Sequence, residues 1–565
     1  MTAFLRNPLL GSFAVVAFAL FMALPGLGAL APLDRDESRF MQASVQMLET
    51  GDYVSISFQD AERNKKPAGS YWSQAASVAF LSEVEARDVV AHRLPSLIGA
   101  VLGVFFLYFA ARRLIDPDAA FFSAILMAAA PSLAGEATIA KSDALLFGAV
   151  ALMQFGLAGI LRDAWEERGG RSRLSAYAFW IGLGLGALIK GPIAPMIAVF
   201  TVGGLSLTNW RAALWRRLHL VSGVLLAGLI VAPWTLLITV QTEGRFISEA
   251  MGTDGVAKLT EAQEAHGAPP GLHLLLLPVL FWPALPFLGA GVAAALRGES
   301  AVNRGPAAAW LFFWAAPAWV IFEIASTKLP HYVLPLYPAL ALIAGAFVAA
   351  PAPRLGLVRG FAVLYALLGL AFAALLIAIP AEFSSLHDWT SPPLYADIAA
   401  GALVLLTLAA AVFAWRGALK ASALVAAAAG GLLAWSVLEV TLPAADRLDI
   451  SRRISAAVDA ADLHPRLDGA PAFVSTGYYE PSAVFLFGTK TVLAEPAPAA
   501  EAFATLRGAA AVEAREQAAF CAALARTSLR AAPVATLEGF NYSKGREVTI
   551  TIYAPSTDEG APGCV

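Results

Sequence analysis

Residues 33–72 read LDRDESRFMQASVQMLETGDYVSISFQDAERNKKPAGSYW, the first long polar interval in an otherwise apolar chain. Asp36-Glu37-Ser38-Arg39 opens it and Lys65-Lys66-Pro67 precedes an aromatic pair, Tyr71-Trp72. The apolar runs on either side are long enough to span a bilayer, and the loop between them, 32–88, has about 55 residues. A connection needs far fewer, and loops of this length are usually functional. The interval therefore decides two things together: the chain is a polytopic membrane protein, and its chemistry sits in a loop at one face.

Composition agrees with that frame. Of 565 residues, 58% are apolar and 14% charged, and the mean hydropathy is +0.66. Soluble domains are nearer half apolar and a quarter charged, so the chain is α-helical and embedded in membrane lipid. The net charge of -3 carries little information, and no polybasic arm points to nucleic acid. Cys521 and Cys564 both lie in the C-terminal part, outside the cytoplasm on the topology below, where a disulfide is permitted.

Apolar runs of the length needed to cross hydrocarbon recur about thirteen times. The first covers 8–31; Gly28-Ala29-Leu30-Ala31 resembles a signal cleavage site, but the run is long for a signal peptide and reads as a span. Arginine then assigns the sides. Arg112 and Arg113 follow the second span, and Arg162, Arg168, Arg171 and Arg173 the fourth. Arg211, Arg216 and Arg217 follow the sixth, Arg297 and Arg304 the eighth, Arg354 and Arg359 the tenth, and Arg416 and Lys420 the twelfth. Every even exit is basic, as cytoplasmic loops are. With Arg6 inside, the N-terminus is cytoplasmic and the C-terminus lies outside.

The third and fourth spans meet at a tight turn near Gly135–Thr138, with Lys141-Ser142-Asp143 entering the fourth. The fifth and sixth meet at Lys190-Gly191-Pro192, where glycine and proline end one helix and start another. The membrane domain occupies 1–442. From 443 to 565 a more polar tail reads as a small outer α/β domain. Its strands are expected at 471–479 and 547–553, by β-branched content and alternation, and its helices near 501–507 and 513–525.

With sides assigned, the chemically loaded residues converge on the outer face: Asp36, Glu37, Arg39, Lys65, Lys66, Glu136, Lys141, Asp143, Lys190, Glu264, His266, Lys328 and Tyr332. Ionisable groups at the bilayer boundary are costly and suggest function. Cations beside carboxylates suit an anionic lipid: lysine and arginine hold phosphate oxygens while a carboxylate takes or orients an acceptor proton. Each motif also has a plainer role. Asp36 and Glu37 suit the acidic start of an interfacial helix running to Gly51. Lys65-Lys66-Pro67 with Tyr71-Trp72, and Lys328 to Tyr332, suit interface anchors. Glu264 and His266 are two metal-ligand types in an outer loop, too few to fix a site alone.

In this order the motifs resemble the integral-membrane glycosyltransferases of the GT-C fold. The resemblance is to the branch of aminoarabinose transferases that modify lipid A, together with the protein O-mannosyltransferases. Asp36-Glu37-Ser38-Arg39-Phe40 is similar to that family's Asp-Glu-Thr-Arg-Tyr, and Lys65–Trp72 to its Glu-Lys-Pro-…-Gly-Tyr-Trp segment. Lys190-Gly191-Pro192 and Lys328-Leu-Pro-His-Tyr-Val-Leu-Pro335 match its Lys-Gly and Lys-Leu-Pro-x-Tyr-x-Leu-Pro elements. The resemblance spans about Pro32 to Pro338.

It implies an undecaprenyl-phosphate donor carrying one sugar, a lipid A or other envelope glycolipid acceptor, and inversion by direct displacement. The setting would be the periplasmic face of a bacterial inner membrane, the chain acting as a monomer. Asp36, Glu37 and Asp143 are then the catalytic carboxylates, with Asp36 as base or orienter. Arg39, Lys66, Tyr332, Lys190, Lys328 and Arg63 bind the donor phosphate. In the lipid A branch a glutamate before the loop lysine and a later histidine hold a metal; here those positions are Lys65 and His266. Arg63 replaces a tyrosine of that branch, so the sugar is left open.

A polypeptide acceptor is the enzymatic alternative, and a polyprenyl-lipid flippase the rival from another class. Transport is disfavoured by two readings: no matched pair of broken helices, and charge gathered at one face instead of the midplane.

Overall fold

The computed structural model describes residues 7–63, 65–167, 172–249, 267–391, 393–467, 469–556 and 563–564. Helix α1, Pro8–Ala23, is followed by the polar interval, which folds as α2 (Asp36–Thr50), a two-strand hairpin of β1 (Ser57–Phe58) and β2 (Ala61–Glu62), and α3 (Gly69–Leu81). Membrane helices follow: α4 (Val89–Leu114), α5 (Pro117–Ala128), α6 (Pro131–Ala137), α7 (Asp143–Trp165), α8 (Ser172–Lys190), α9 (Ile193–Leu205) and α10 (Leu220–Gln241). The second half holds α11 (Leu272–Leu280), α12 (Leu285–Leu296), α13 (Ala307–Ile324), a 3-10 turn at Pro330–Leu336, α14 (Tyr337–Val348), α15 (Gly356–Phe383), α16 (Leu394–Trp415) and α17 (Leu419–Trp435).

Among the described residues eight helices are long and apolar enough to cross a membrane, or ten if each bent pair is one span. Pro8–Ala23 and Ile193–Leu205 are apolar but shorter. The bends correct one expectation. Two spans are broken, α5 against α6 by 61° and the segment from Leu272 to Asn303 by 84°. Pro131 starts α6 and accounts for the first, because proline cannot continue the preceding helix; the alanines around it hid the break. Charge at one face is thus the sequence argument against transport that survives.

The amphipathic α2 behaves as its sequence predicts. It buries Phe40, Met41, Val45 and Met47 and stops where Gly51 takes a left-handed conformation (φ 72°). Small residues bring α4 and α7 together: a Cβ at Gly99 would lie 2.6 Å from the Ala144 carbonyl oxygen, and one at Gly148 2.6 Å from that of Gly99. Such contacts let membrane helices pack backbone to backbone. Here they draw Arg93 and Asp143, near the ends of those helices, under α2.

After Ala444 the chain forms α18 (Ile450–Ala460), β3 (Val474–Thr476), α19 (Pro481–Phe487), β4 (Val492–Leu493), α20 (Pro496–Leu506), β5 (Ala510–Glu513), α21 (Ala514–Leu524), β6 (Arg530–Asn541), β7 (Arg546–Ser556) and β8 (Gly563–Cys564). The sheet order is β4-β3-β5-β7-β6-β8, with β3 parallel to β4 and β5, and β7 antiparallel to β5 and β6. Both expected strands and both expected helices are present. Cys521 on α21 and Cys564 on β8 form a disulfide (Cα–Cα 5.3 Å) that ties the chain end to the sheet.

Candidate active site

Asp36 is the first residue of α2, its carboxylate half-exposed and 3.4 Å from Arg63 of the hairpin. Arg63 lies over the Phe40 ring, 5.5 Å from its centroid, and Phe40 stacks on Tyr71 at 4.8 Å. Those aromatic contacts fix the guanidinium facing the acid. Burial alone would raise the Asp36 carboxyl, but Arg63, Lys141, Lys66 and Arg39 outweigh it and hold it below the usual carboxylate range. Asp36 is therefore ionised throughout the neutral range.

Beneath it the membrane helices supply a second tier. Lys141, in the α6–α7 turn, lies 3.5 Å from Glu136 and 3.8 Å from Asp143. Its burial favours the neutral amine, yet Glu136, Asp143 and Asp36 overcome that and keep it charged. Lys190, ending α8, pairs with Asp143, and its ammonium lies 5.4 Å from the centre of the Tyr332 ring. His331 stands between two acids, Nδ1 3.4 Å from Glu136 and Nε2 3.8 Å from Asp143. Among the described residues, Arg63, Lys141, Lys66 and Arg39 thus act on Asp36, while Lys141 and Lys190 reach down to Asp143 and Lys141 also to Glu136.

Two of the residues expected here are spent elsewhere. Glu37 is 1% exposed. It takes a bidentate pair from Arg93 at 2.8 and 2.9 Å and backbone N–H bonds from Leu33 and Ala140, each 2.8 Å. Arg93 uses its remaining donors on the carbonyls of Gly26, Leu27, Leu30 and Ala31. No lone pair of Glu37 faces the cluster, so its place is architectural. Lys328 is also buried and donates to the carbonyls of Ala325 (2.5 Å) and Ala268 (2.7 Å). It holds the chain ahead of the Pro330 turn, which carries His331 and Tyr332.

Glu264 and His266 lie outside the described residues, as do Arg168 and Arg171. Among the described residues no three His, Cys, Asp or Glu side chains gather to hold a metal ion. Lys65 stands where the resemblance implies a ligand glutamate, and an ammonium does not suit a metal site. Sequence reasoning placed Glu136 and Lys141 on the outer face without giving them a role, and quoted His331 only as part of a motif. Its signal was its position beside Tyr332, in the short outer loop between two apolar spans.

Residues 65–236 match a family model described as dolichyl-phosphate-mannose-protein mannosyltransferase. The undecaprenyl phosphate-alpha-4-amino-4-deoxy-L-arabinose arabinosyl transferase of Pseudomonas paraeruginosa is 29% identical over 343 residues, 59% of this chain and 58% of that protein. The transferase of the same name from Edwardsiella ictaluri is 27% identical over 412 residues, 72% and 71% of the two chains. The chain thus matches 58% of the length of the first of these relatives. The crystal structure of ArnT from Cupriavidus metallidurans bound to undecaprenyl phosphate superposes with a TM-score of 0.70 at 19% identity, covering 96% of this chain and 97% of that one. The fold is shared from end to end.

Proposed function

We propose that this chain is a GT-C membrane glycosyltransferase of the aminoarabinose-transferase and protein-mannosyltransferase kind, and that it transfers one sugar from a polyprenyl phosphate to an envelope glycolipid such as lipid A. We place the reaction at the periplasmic face of a bacterial inner membrane, on a topology of thirteen spans with the C-terminal region outside. The observation that carries the reading is the gathering of cations from the first loop and from two membrane helix ends around Asp36 and Asp143. A sugar phosphodiester with one negative charge becomes, on transfer, a phosphate monoester with two. Cations gathered at one place favour the product-like charge, so they stabilise the transition state more than the bound donor.

The acceptor hydroxyl oxygen bonds to the anomeric carbon as the bond from that carbon to the phosphate oxygen breaks, with inversion. The electron pair leaves with the polyprenyl phosphate, and the acceptor proton passes to the Asp36 carboxylate. A carboxylate held this low is a weak base in the ground state. It first orients the hydroxyl and takes its proton late, when the oxygen has become acidic by bonding to carbon. Lys190, Lys66, Arg63 and Arg39 hold phosphate oxygens, Asp143 keeps Lys190 aimed, and Tyr332 flanks it. Glu37 and Lys328 we read as supports of this arrangement, not members of it.

A polypeptide acceptor is the second reading, favoured by the match of residues 65–236 to the protein mannosyltransferase family model. Mass spectrometry of lipid A, core oligosaccharide and envelope proteins from a strain lacking this chain separates the two. Loss of a single sugar mass from a glycolipid supports the first, and loss from protein alone refutes it. Complementation with Asp36→Asn is expected not to restore the modification although the variant still binds undecaprenyl phosphate; full restoration removes Asp36 from the mechanism.

A further inference from the structure

The three residues ahead of Asp36 are held largely by the C-terminal region. The Asp34 N–H donates to the Tyr542 hydroxyl oxygen at 2.6 Å, and the Arg35 guanidinium donates to the Ser543 carbonyl at 2.6 Å. The Ser482 hydroxyl donates to the Asp34 carboxylate, and the Ser482 N–H lies 3.4 Å from the same oxygen. Leu33 is fixed on the other side, its N–H on Glu37 and its carbonyl accepting from the Ser38 N–H (3.2 Å) and hydroxyl (2.5 Å). Between these grips Arg35 is driven to φ 66°, ψ −109°, a conformation costly for a residue with a side chain. Strain of that kind persists only where the surroundings over-determine the backbone, and it clusters at functional sites.

Further polar contacts flank the grips. Ser482 shares its hydroxyl with Ser451 (2.6 Å), which also bonds the Tyr478 hydroxyl (2.9 Å). Asn541, beside Tyr542, donates to Glu480 at 2.9 Å. Further along α2, Gln42 donates to Thr489 at 2.7 Å and Thr489 donates to Glu49 at 2.7 Å. The whole start of α2 is thereby seated against α19, its following loop and the β6–β7 turn.

We propose that Tyr542, Ser543 and Ser482 of the C-terminal region, acting through Asp34 and Arg35, are positioning residues that aim the Asp36 carboxylate into the cation cluster. The inference deepens the function proposed above and rests on it. Asp36 follows Arg35 directly, so any relaxation of the strained residue rotates the peptide from which the carboxylate projects. Misplacement of a reacting group by about 1 Å is enough to cost on the order of a hundredfold in rate.

The test uses the full chain. Initial rates of glycolipid modification are measured in membranes of a complemented deletion strain. Affinity for undecaprenyl phosphate, melting temperature and amide hydrogen exchange of residues 33–40 are measured on purified protein. Tyr542→Phe and Ser482→Ala are each expected to slow modification by about tenfold, a modest misaiming by the measure just given. Undecaprenyl phosphate affinity should stay within about twofold, melting should not change, and faster exchange should be confined to the start of α2. Asp34→Asn, which keeps an acceptor oxygen for Ser482, should retain more activity than Asp34→Ala. Full rates in Tyr542→Phe, Ser482→Ala and Asp34→Ala beside an inactive Asp36→Asn overturn the positioning role. So does a joint fall of rate, affinity and melting temperature, which marks a purely structural contact. If Asp36→Asn is itself fully active, the proposed function fails, while the exchange measurement still reports whether the clamp exists.

Discussion

Asp36 and Glu37 are neighbours in sequence and opposites in environment. Glu37 is buried against Arg93, with both carboxylate oxygens occupied by guanidinium and backbone donors. Asp36 is half-exposed and lies among Arg63, Lys141, Lys66 and Arg39. The first pair is saturated and so can only hold the fold; the second carboxylate is open to solvent among cations and so can bind and react. The comparison is broken most directly by exchanging the two losses. Asp36→Asn is expected to lower transfer by about 10²- to 10⁴-fold, the range for a positioned proton acceptor, with melting unchanged. Glu37→Gln should instead strand Arg93 in the protein interior and destabilise it by about 3–5 kcal/mol, read as a fall in melting temperature and yield. An inactive but fully stable Glu37→Gln protein would reverse the two assignments.

The cations sharpen the same contrast at a smaller scale. Lys190 has Asp143 as a partner, and both face the place proposed for phosphate. Lys190→Ala removes a charged donor worth about 1.5–3 kcal/mol, so affinity for undecaprenyl phosphate should fall by roughly ten- to a hundredfold. Lys328→Met removes a cation whose bonds go to backbone carbonyls. It should leave that affinity near normal and lower the melting temperature instead. Equal losses of affinity from the two would mean that saturation is not what separates binding from structure here.

How much of this was legible beforehand follows from the range of each interaction. Helix α2 was readable, because an acidic first turn, an apolar stripe and a closing Gly51 all lie within one short stretch, 36–51. The convergence of polar groups on one face was readable too, since arginine distribution assigns sides without any tertiary information. The fate of Glu37 was not, because its partner Arg93 lies 56 residues away on α4 and nothing local distinguishes it from Asp36. The partners of Lys328 were not legible for the same reason: a motif gives its position but not the carbonyls it meets. In the C-terminal region β7 announced itself through β-branched alternation. Its partner β6 did not, because its interior holds alanines and Pro533, beside which the pairing register shifts.

The finest expected effect concerns Asp34, two residues before Asp36 and held by the C-terminal region. Burial pushes its carboxyl up to about 7, Glu480 adds to the rise, and hydrogen bonds from Ser482 and Tyr542 oppose it. Tyr478 and Tyr542 face the same pocket with Glu37 beyond them, and Arg546 acts on Glu480 from β7. Because the folded pKa is raised, the docked state binds the proton more tightly than an undocked or unfolded one. Docking of α2 on the C-terminal region is therefore strongest on the acid side and weakens as pH rises through about 7. Below the ordinary carboxylate range both states are protonated and nothing further is gained. Amide exchange of residues 33–40, corrected for the intrinsic pH dependence of exchange, should be a few-fold faster at pH 8 than at pH 6 if opening follows that titration. Asp34→Asn should remove the difference, since an amide at this position neither charges nor repels Glu480. A pH dependence that survives Asp34→Asn would assign the titration to another group and leave the clamp to geometry alone.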